Sequence, residues 1–202
     1  MDPIRIHTKR LAGLNRLKNA GLPVPDYRVV YAENDIPSLF GDRPAPYGWT
    51  IRTCKKNGEN ELGLFFSNEL SKDEVIRQLS FRLHSFPNEY YIIYPSWDFY
   101  ISFNIFKDQY EYIIEGKFGS QKDLSMGKET PSFYMKVDTL TKRNLYLTTE
   151  YGWDESVKKS INRAIGYIKK VAVFDDSRDY FEVANPTRKE IFFYEYWNID
   201  EL

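Results

Sequence analysis

The sequence predicts an α+β fold in which helix–strand elements come first and an antiparallel sheet, interrupted by one long helix, follows. Three observations carry this expectation. Apolar residues recur at helical spacing in three separate segments. From Glu89 onward, short β-branched and aromatic runs alternate with turns, the mark of antiparallel pairing. The length of 202 residues exceeds one small domain and falls short of two full ones, so one domain with two lobes is expected.

Leu11, Leu14 and Leu17 precede Gly21, Pro23 and Pro25, which predicts a helix over Lys9 to Ala20 that glycine ends and proline forbids to continue. Tyr27 to Tyr31 is expected as a strand, Asn34 to Gly48 as a loop, and Trp49 to Thr53 as a second strand before a turn at Lys55 to Asn60. Ser71-Lys72-Asp73-Glu74 is a capping box, and Val75, Leu79 and Leu83 continue its helix to about His84. Tyr90 to Tyr94, Phe99 to Phe106 and Tyr110 to Glu115 read as an antiparallel meander, with Ser132 to Val137 and Asn144 to Thr149 as a further pair. Asp154 to Lys170 carries Val157, Ile161, Ile165 and Ile168 on one face of a helix. Tyr180 to Ala184 and Glu190 to Trp197 close the chain as two strands around an Asn185 to Lys189 turn.

Lys+Arg 28 against Asp+Glu 29 gives a net charge of −1, and no window collects five like charges, so no global footprint for nucleic acid or an anionic membrane is present. An aromatic content of 17% excludes a disordered chain. Cys54 is the only cysteine, which rules out an intrachain disulfide and points to a reducing, cytoplasmic compartment. Met1-Asp2-Pro3-Ile4-Arg5 has no signal-like apolar core, and the longest apolar runs are strand-length, so no membrane segment is expected. There is no zinc-type Cys/His cluster, P-loop or Gly-x-Gly-x-x-Gly, and a Cys54 nucleophile would have only His84 as partner.

Arg10-Leu11-Ala12-Gly13-Leu14 and Ala20-Gly21-Leu22-Pro23-Val24-Pro25 resemble the start of the nucleotide-binding domain of phosphoenolpyruvate synthase and pyruvate phosphate dikinase, members of the ATP-grasp superfamily. Further segments match in the same order. Ile51-Arg52-Thr53-Cys54 resembles Val-Arg-Ser-Ser, Glu115-Gly116-Lys117-Phe118-Gly119 resembles Glu-Ala-Val-Trp-Gly, and Gly119, Gly127 and Thr130-Pro131 keep the family's glycine and Thr-Pro spacing. Phe181-Glu182-Val183-Ala184 and Phe193-Tyr194-Glu195 resemble Ile-Glu-Trp-Ala and the following Ile-Leu-Gln, with the two polar residues thirteen positions apart.

The resemblance implies one ATP-grasp-like domain over 1–202, with lobes at about 1–88 and 89–202 and ATP held between two sheets. It implies Arg10 and Arg52 on phosphates, with Arg52 in the catalytic position, Tyr94 on the adenine side, Glu115 near the nucleotide, and Glu182 with Glu195 on Mg²⁺. Val183 and Tyr194 flank a hairpin, so both glutamates can share one face, and Mg²⁺ takes hard oxygens from one or two carboxylates. The departures weigh on catalysis more than on binding, because phosphoryl transfer depends on neutralised, positioned phosphates. Arg10 replaces a lysine, Gly119-Ser120-Gln121-Lys122 replaces Gly-Leu-Gly-Glu, Tyr94 stands for a glutamine, and Glu195-Tyr196-Trp197-Asn198 lacks the family's arginine. No swivelling phosphohistidine domain is encoded, and neither His7 nor His84 has such a context.

The expected function is ATP and Mg²⁺ binding, with ATP-dependent phosphoryl transfer to an unnamed protein or small molecule if the chain is an enzyme. A non-catalytic nucleotide- or protein-binding module of the same fold is one alternative. A single-stranded nucleic-acid binder is the other, stacking bases on Tyr90 to Tyr94 and Phe192 to Trp197 with Lys55, Lys56, Lys117 and Lys122 on phosphates.

Overall fold

The computed structural model describes residues 9–57, 64–120, 130–139, 144–148, 155–174, 177–187 and 189–199, with backbone alone at 9 and 144–148. His7, Gln121, Lys122 and Gly127 lie outside the described residues. The chain divides into two compact units, one of residues 1–12 and 25–97 and one of residues 13–24 and 98–202.

The first unit holds β1 (Arg28–Val30), a 3₁₀ turn (Glu33–Ser38), β2 (Trp49–Lys55), β3 (Phe66–Leu70), α2 (Lys72–Ser85) and β4 (Glu89–Pro95), and the first turn of α1 (Lys9–Asn19). Its antiparallel sheet has the order β1-β4-β2-β3. The capping box forms as expected: the Glu74 amide donates to the Ser71 hydroxyl at 3.3 Å and the Ser71 amide to the Glu74 carboxylate at 2.8 Å. Val75 and Leu79 of α2 then cover Trp49, Ile51, Tyr91 and Ile93 on one sheet face. Within this unit Glu89 is buried but fully engaged. It accepts from Arg82 and from the Tyr91 hydroxyl, each at 2.8 Å, and faces Lys55 at 3.6 Å. The Arg82 guanidinium lies 4.1 Å from the Phe65 ring and 4.6 Å from Phe86, contacts that favour a weakly hydrated cation.

Two sequence expectations change here. β4 is not the first strand of a meander with the segments after it, and it does not open the second lobe at residue 89. It pairs with β1 and β2, with Ile93 opposite both Arg28 and Ile51. β3 was not expected at all; its Phe-Ser-Asn-Glu-Leu sequence is half polar because it forms the sheet edge. Glu69 has a left-handed φ of 60°, and Gly48 (φ 77°) sits so close that a Cβ there would meet the Leu70 carbonyl oxygen at 2.7 Å.

The second unit contains the rest of α1, β5 (Ile101–Lys107), β6 (Glu111–Phe118), β7 (Phe133–Asp138), β8 (Asn144–Thr148), α3 (Glu155–Ile168), a short 3₁₀ turn (Ala172–Phe174), β9 (Asp179–Asn185) and β10 (Phe192–Asn198). The antiparallel order is β10-β9-β5-β6-β7-β8. Every strand but the central pair β5–β9 joins its chain neighbour, and β9 reaches β5 after α3 has crossed one face. On that face Phe103, Ile105, Ile114, Met135, Phe181 and Val183 pack with Val157, Ile161 and Ile168 of α3 and with Leu17 and Leu22. The periodicity read from the sequence is therefore the buried face of α3.

No helix among the described residues is long and apolar enough to cross a membrane.

Candidate functional site

Alternation along β5, β6 and β9 places the residues between the core positions on the opposite face of the six-stranded sheet. One cross-strand row on that face contains three residues singled out from sequence. Glu195 of β10 is opposite Glu182 of β9, Glu182 is opposite Asn104 of β5, Asn104 is opposite Glu115 of β6, and Glu115 is opposite Tyr134 of β7. The row is continuous because β10 bulges between Phe193 and Glu195: Phe193 pairs with Val183 and Glu195 with Glu182, and the extra residue Tyr194 is absorbed. Without the bulge, strict alternation would carry Glu195 to the same face as the core residue Phe193.

Each of the paired glutamates is oriented by an aromatic donor two residues away on its own strand. The Tyr180 hydroxyl donates to Glu182 Oε1 at 2.9 Å, and the Trp197 indole Nε1 donates to Glu195 Oε1 at 2.8 Å. Tyr180 and Trp197 are themselves register partners, with rings 6.2 Å apart, and Phe106 extends this aromatic row 4.9 Å from Tyr180. Glu195 is 4% exposed, while Glu182 and Glu115 are half-buried. Asn104 is 5% exposed, and its Oδ1 is buried and accepts no hydrogen bond from any described residue. Sequence reading did not single out Asn104 or Tyr180, and it met Trp197 only as the departure from the family's arginine and as the end of an aromatic strand. A signal existed for the first: Ser102 and Asn104 alternate with Ile101, Phe103 and Ile105, a polar line inside an otherwise apolar strand.

In the first unit both arginines singled out from sequence meet β2. Arg52 lies on β2, paired with Ile92 and Phe66, and its guanidinium stacks 5.3 Å from the Phe66 ring. Arg10, in the first turn of α1, donates to the carbonyl of Thr53, the next residue of β2, at 3.4 Å. By alternation Arg52 is on the sheet face opposite Ile51 and α2. Tyr94 is buried on β4, opposite Thr50, two positions from Arg52 on the same face.

Cys54 is buried in β2, and His84 lines a separate cavity of about 340 Å³ with Tyr31, Lys56, Pro87 and Glu89. Among the described residues no three His, Cys, Asp or Glu side chains form a metal-holding group. The aromatic strands considered for base stacking are largely core: Tyr90, Tyr91 and Phe193 have no exposed surface, and Tyr196 is buried. Lys55 is held by Glu89.

A four-stranded and a six-stranded antiparallel sheet with flanking helices define this chain as a protein of the ATP-grasp fold. A RimK domain ATP-grasp protein from Sphaerobacter thermophilus aligns over 96% of this chain and 60% of its own length, with a TM-score of 0.55 and 12% identity. The ADP complex of N5-carboxyaminoimidazole ribonucleotide synthetase aligns over 95% of this chain and 45% of its own, with a TM-score of 0.54 and 16% identity. D-alanine-D-alanine ligase from Helicobacter pylori covers 96% of this chain and 54% of its own at a TM-score of 0.51 and 13% identity. The chain thus spans about half the length of the structures it matches. No protein family and no curated protein matches it by sequence. The structural likeness reaches the ATP-grasp fold; the narrower resemblance to phosphoenolpyruvate synthase rests on the sequence motifs.

Proposed function

We propose that the chain binds ATP with Mg²⁺ and directs the γ-phosphoryl group to an acceptor, either a protein or a small molecule. The observation that carries this reading is the direct opposition of Glu182 and Glu195 on one sheet face, each with one oxygen fixed by a donor. Like charges directly opposite across strands are destabilising, and a cation between them offsets the repulsion. Two hard carboxylates, with phosphate oxygens completing the shell, suit Mg²⁺ better than a softer metal. When bound there, the ion would neutralise charge on the phosphate oxygens during transfer.

The remaining assignments follow the sequence resemblance. Arg10 and Arg52 take the phosphates, Glu115 lies on the nucleotide side of the acidic row, and Tyr94 serves the adenine side. Support for a nucleotide comes from matched proteins that were solved with ADP, one of them with 5-aminoimidazole ribonucleotide as well.

A second reading, a nucleotide-binding module without catalysis, is favoured by one feature. Where the resembling family carries an arginine, Trp197 stands, and its indole is engaged with Glu195. Phosphoryl transfer without that cation loses transition-state charge stabilisation more than ground-state affinity.

Thermal unfolding with ATP alone and with MgATP tests the binding claim. A ligand at a hundredfold its dissociation constant adds about 2.7 kcal/mol to native stability, so millimolar MgATP should raise the midpoint visibly. The paired substitutions Glu182→Gln and Glu195→Gln should abolish the Mg²⁺ dependence of that rise. No rise for the wild type overturns the ATP assignment, and a persisting Mg²⁺ dependence in the double variant overturns the metal assignment.

A further inference from the structure

Asn104 sits in the middle of the acidic row with Glu182 on one side and Glu115 on the other. Its Oδ1 is buried and accepts no hydrogen bond among the described residues; native proteins keep few buried carboxamide oxygens in that state, because each is costly. The neighbours in the row cannot supply the missing donor. Ionised carboxylates only accept, and the Tyr180 hydroxyl proton is already directed at Glu182. Rotating the amide by 180° would exchange its oxygen and nitrogen but would still leave an oxygen beside acceptors on a strand whose backbone groups are committed to β6 and β9. A group that satisfies the carboxamide oxygen beside carboxylates is a hard cation, which takes neutral amide and anionic carboxylate oxygens alike.

We infer that Asn104 Oδ1 is a third protein oxygen of the divalent-cation site, beside Glu182 and Glu195. This assignment rests on the MgATP reading above and adds a neutral ligand from a third strand. Its position explains why the centre of the row is an amide and not a fourth carboxylate: Glu195, Glu182 and Glu115 already concentrate negative charge, and an aspartate there would face a like charge on both sides. Tyr180 and Trp197 then act as positioning residues, fixing the orientation of the two glutamates as outer partners do around metal-binding carboxylates.

The test is titration of the protein with Mn²⁺ alone, followed by electron paramagnetic resonance of the free ion, alongside thermal unfolding without metal. Asn104→Leu keeps the volume and removes the oxygen. It should weaken Mn²⁺ binding about tenfold or more, while the metal-free midpoint stays level or rises because an unsatisfied buried amide has gone. Asn104→Asp should do the reverse, tightening Mn²⁺ and lowering the metal-free midpoint. Wild-type Mn²⁺ affinity in a folded Asn104→Leu protein overturns the assignment. If that variant does not fold, unchanged or weaker Mn²⁺ binding by Asn104→Asp overturns it equally. Glu182→Gln with Glu195→Gln in the same titration separates the two levels: binding lost there but retained in Asn104→Leu removes Asn104 alone, whereas a wild type that binds no Mn²⁺ at millimolar concentration removes the metal site with it.

Discussion

Asp179 has no exposed surface, and its carboxylate is surrounded by the Tyr196 hydroxyl at 2.8 Å, the Ser177 hydroxyl and the Lys107 ammonium at 3.8 Å. Burial raises its pKa above the ordinary carboxylate range, and the two hydroxyls, Lys107 and Arg16 pull it back only in part. The sign of the consequence follows from linkage. A carboxyl whose folded pKa is raised binds its proton more tightly in the native state, so its stabilising contribution is complete below the unfolded value of about 3.9 and is lost as pH rises through the folded value. Subtracting the unfolding free energy of Asp179→Asn from that of the wild type should therefore give a difference that falls from pH 4 towards neutrality. Urea unfolding at several pH values measures it, and a difference that grows with pH would mean that Lys107 and Tyr196 outweigh burial. Side chains differ in how far sequence announces such roles. The shared face of Glu182 and Glu195 was legible because a hairpin can bring residues thirteen positions apart together, even though the Phe193/Glu195 bulge that completes the register carries no sequence signal. The place of Asn104 between Glu115 and Glu182 was not, since it depends on strands β6 and β9 flanking β5.

At the scale of elements, Gly13 shows what α1 requires. In an isolated helix, alanine is more favourable than glycine by about 1 kcal/mol. Here a Cβ at position 13 would overlap the Tyr196 carbonyl oxygen of β10 and crowd the carbon and nitrogen of the same residue. Backbone cannot move aside as a side-chain tip can, so overpacking outweighs propensity. Gly13→Ala should destabilise the protein by about 1–3 kcal/mol, readable as a lower urea midpoint at unchanged slope. Stabilisation would mean that α1 is not seated on β10 this closely. Gly13 thus has a packing reason within the second unit for its place in the Arg10–Leu14 motif, independent of any nucleotide. Helices and isolated strands were legible from spacing because those signals are local. Partners were not: β4 could be recognised as a strand from Tyr90 to Tyr94, but its place between β1 and β2 depends on contacts tens of residues away. β3 escaped because edge strands mix polar with apolar residues.

For the whole molecule, the balance of charge and the burial of its rings bear on what kind of partner it takes. The ATP-grasp fold was legible through a chain of short collinear motifs; in the structure Arg10 reaches the backbone of the strand that carries Arg52, and Glu115, Glu182 and Glu195 fall in one cross-strand row with Asn104 between the first two. An activity was not legible, because fold constrains function only through the groups placed on it. Nucleic acid is the partner that whole-molecule physics disfavours most. Affinity for a single strand needs exposed stacking rings and cations that displace condensed counterions. Tyr90, Tyr91 and Phe193 are in the interior, Lys55 is paired with Glu89, and the half-exposed rings of Tyr180 and Trp197 flank a row of carboxylates that, without a cation on it, repels phosphates. A labelled single-stranded oligonucleotide should accordingly show no rise in fluorescence anisotropy at near-physiological salt, and any rise at low salt should vanish as salt is added. If instead the oligonucleotide bound tightly at near-physiological salt and MgATP left that binding untouched, the functional face would be a cationic one and not the acidic row.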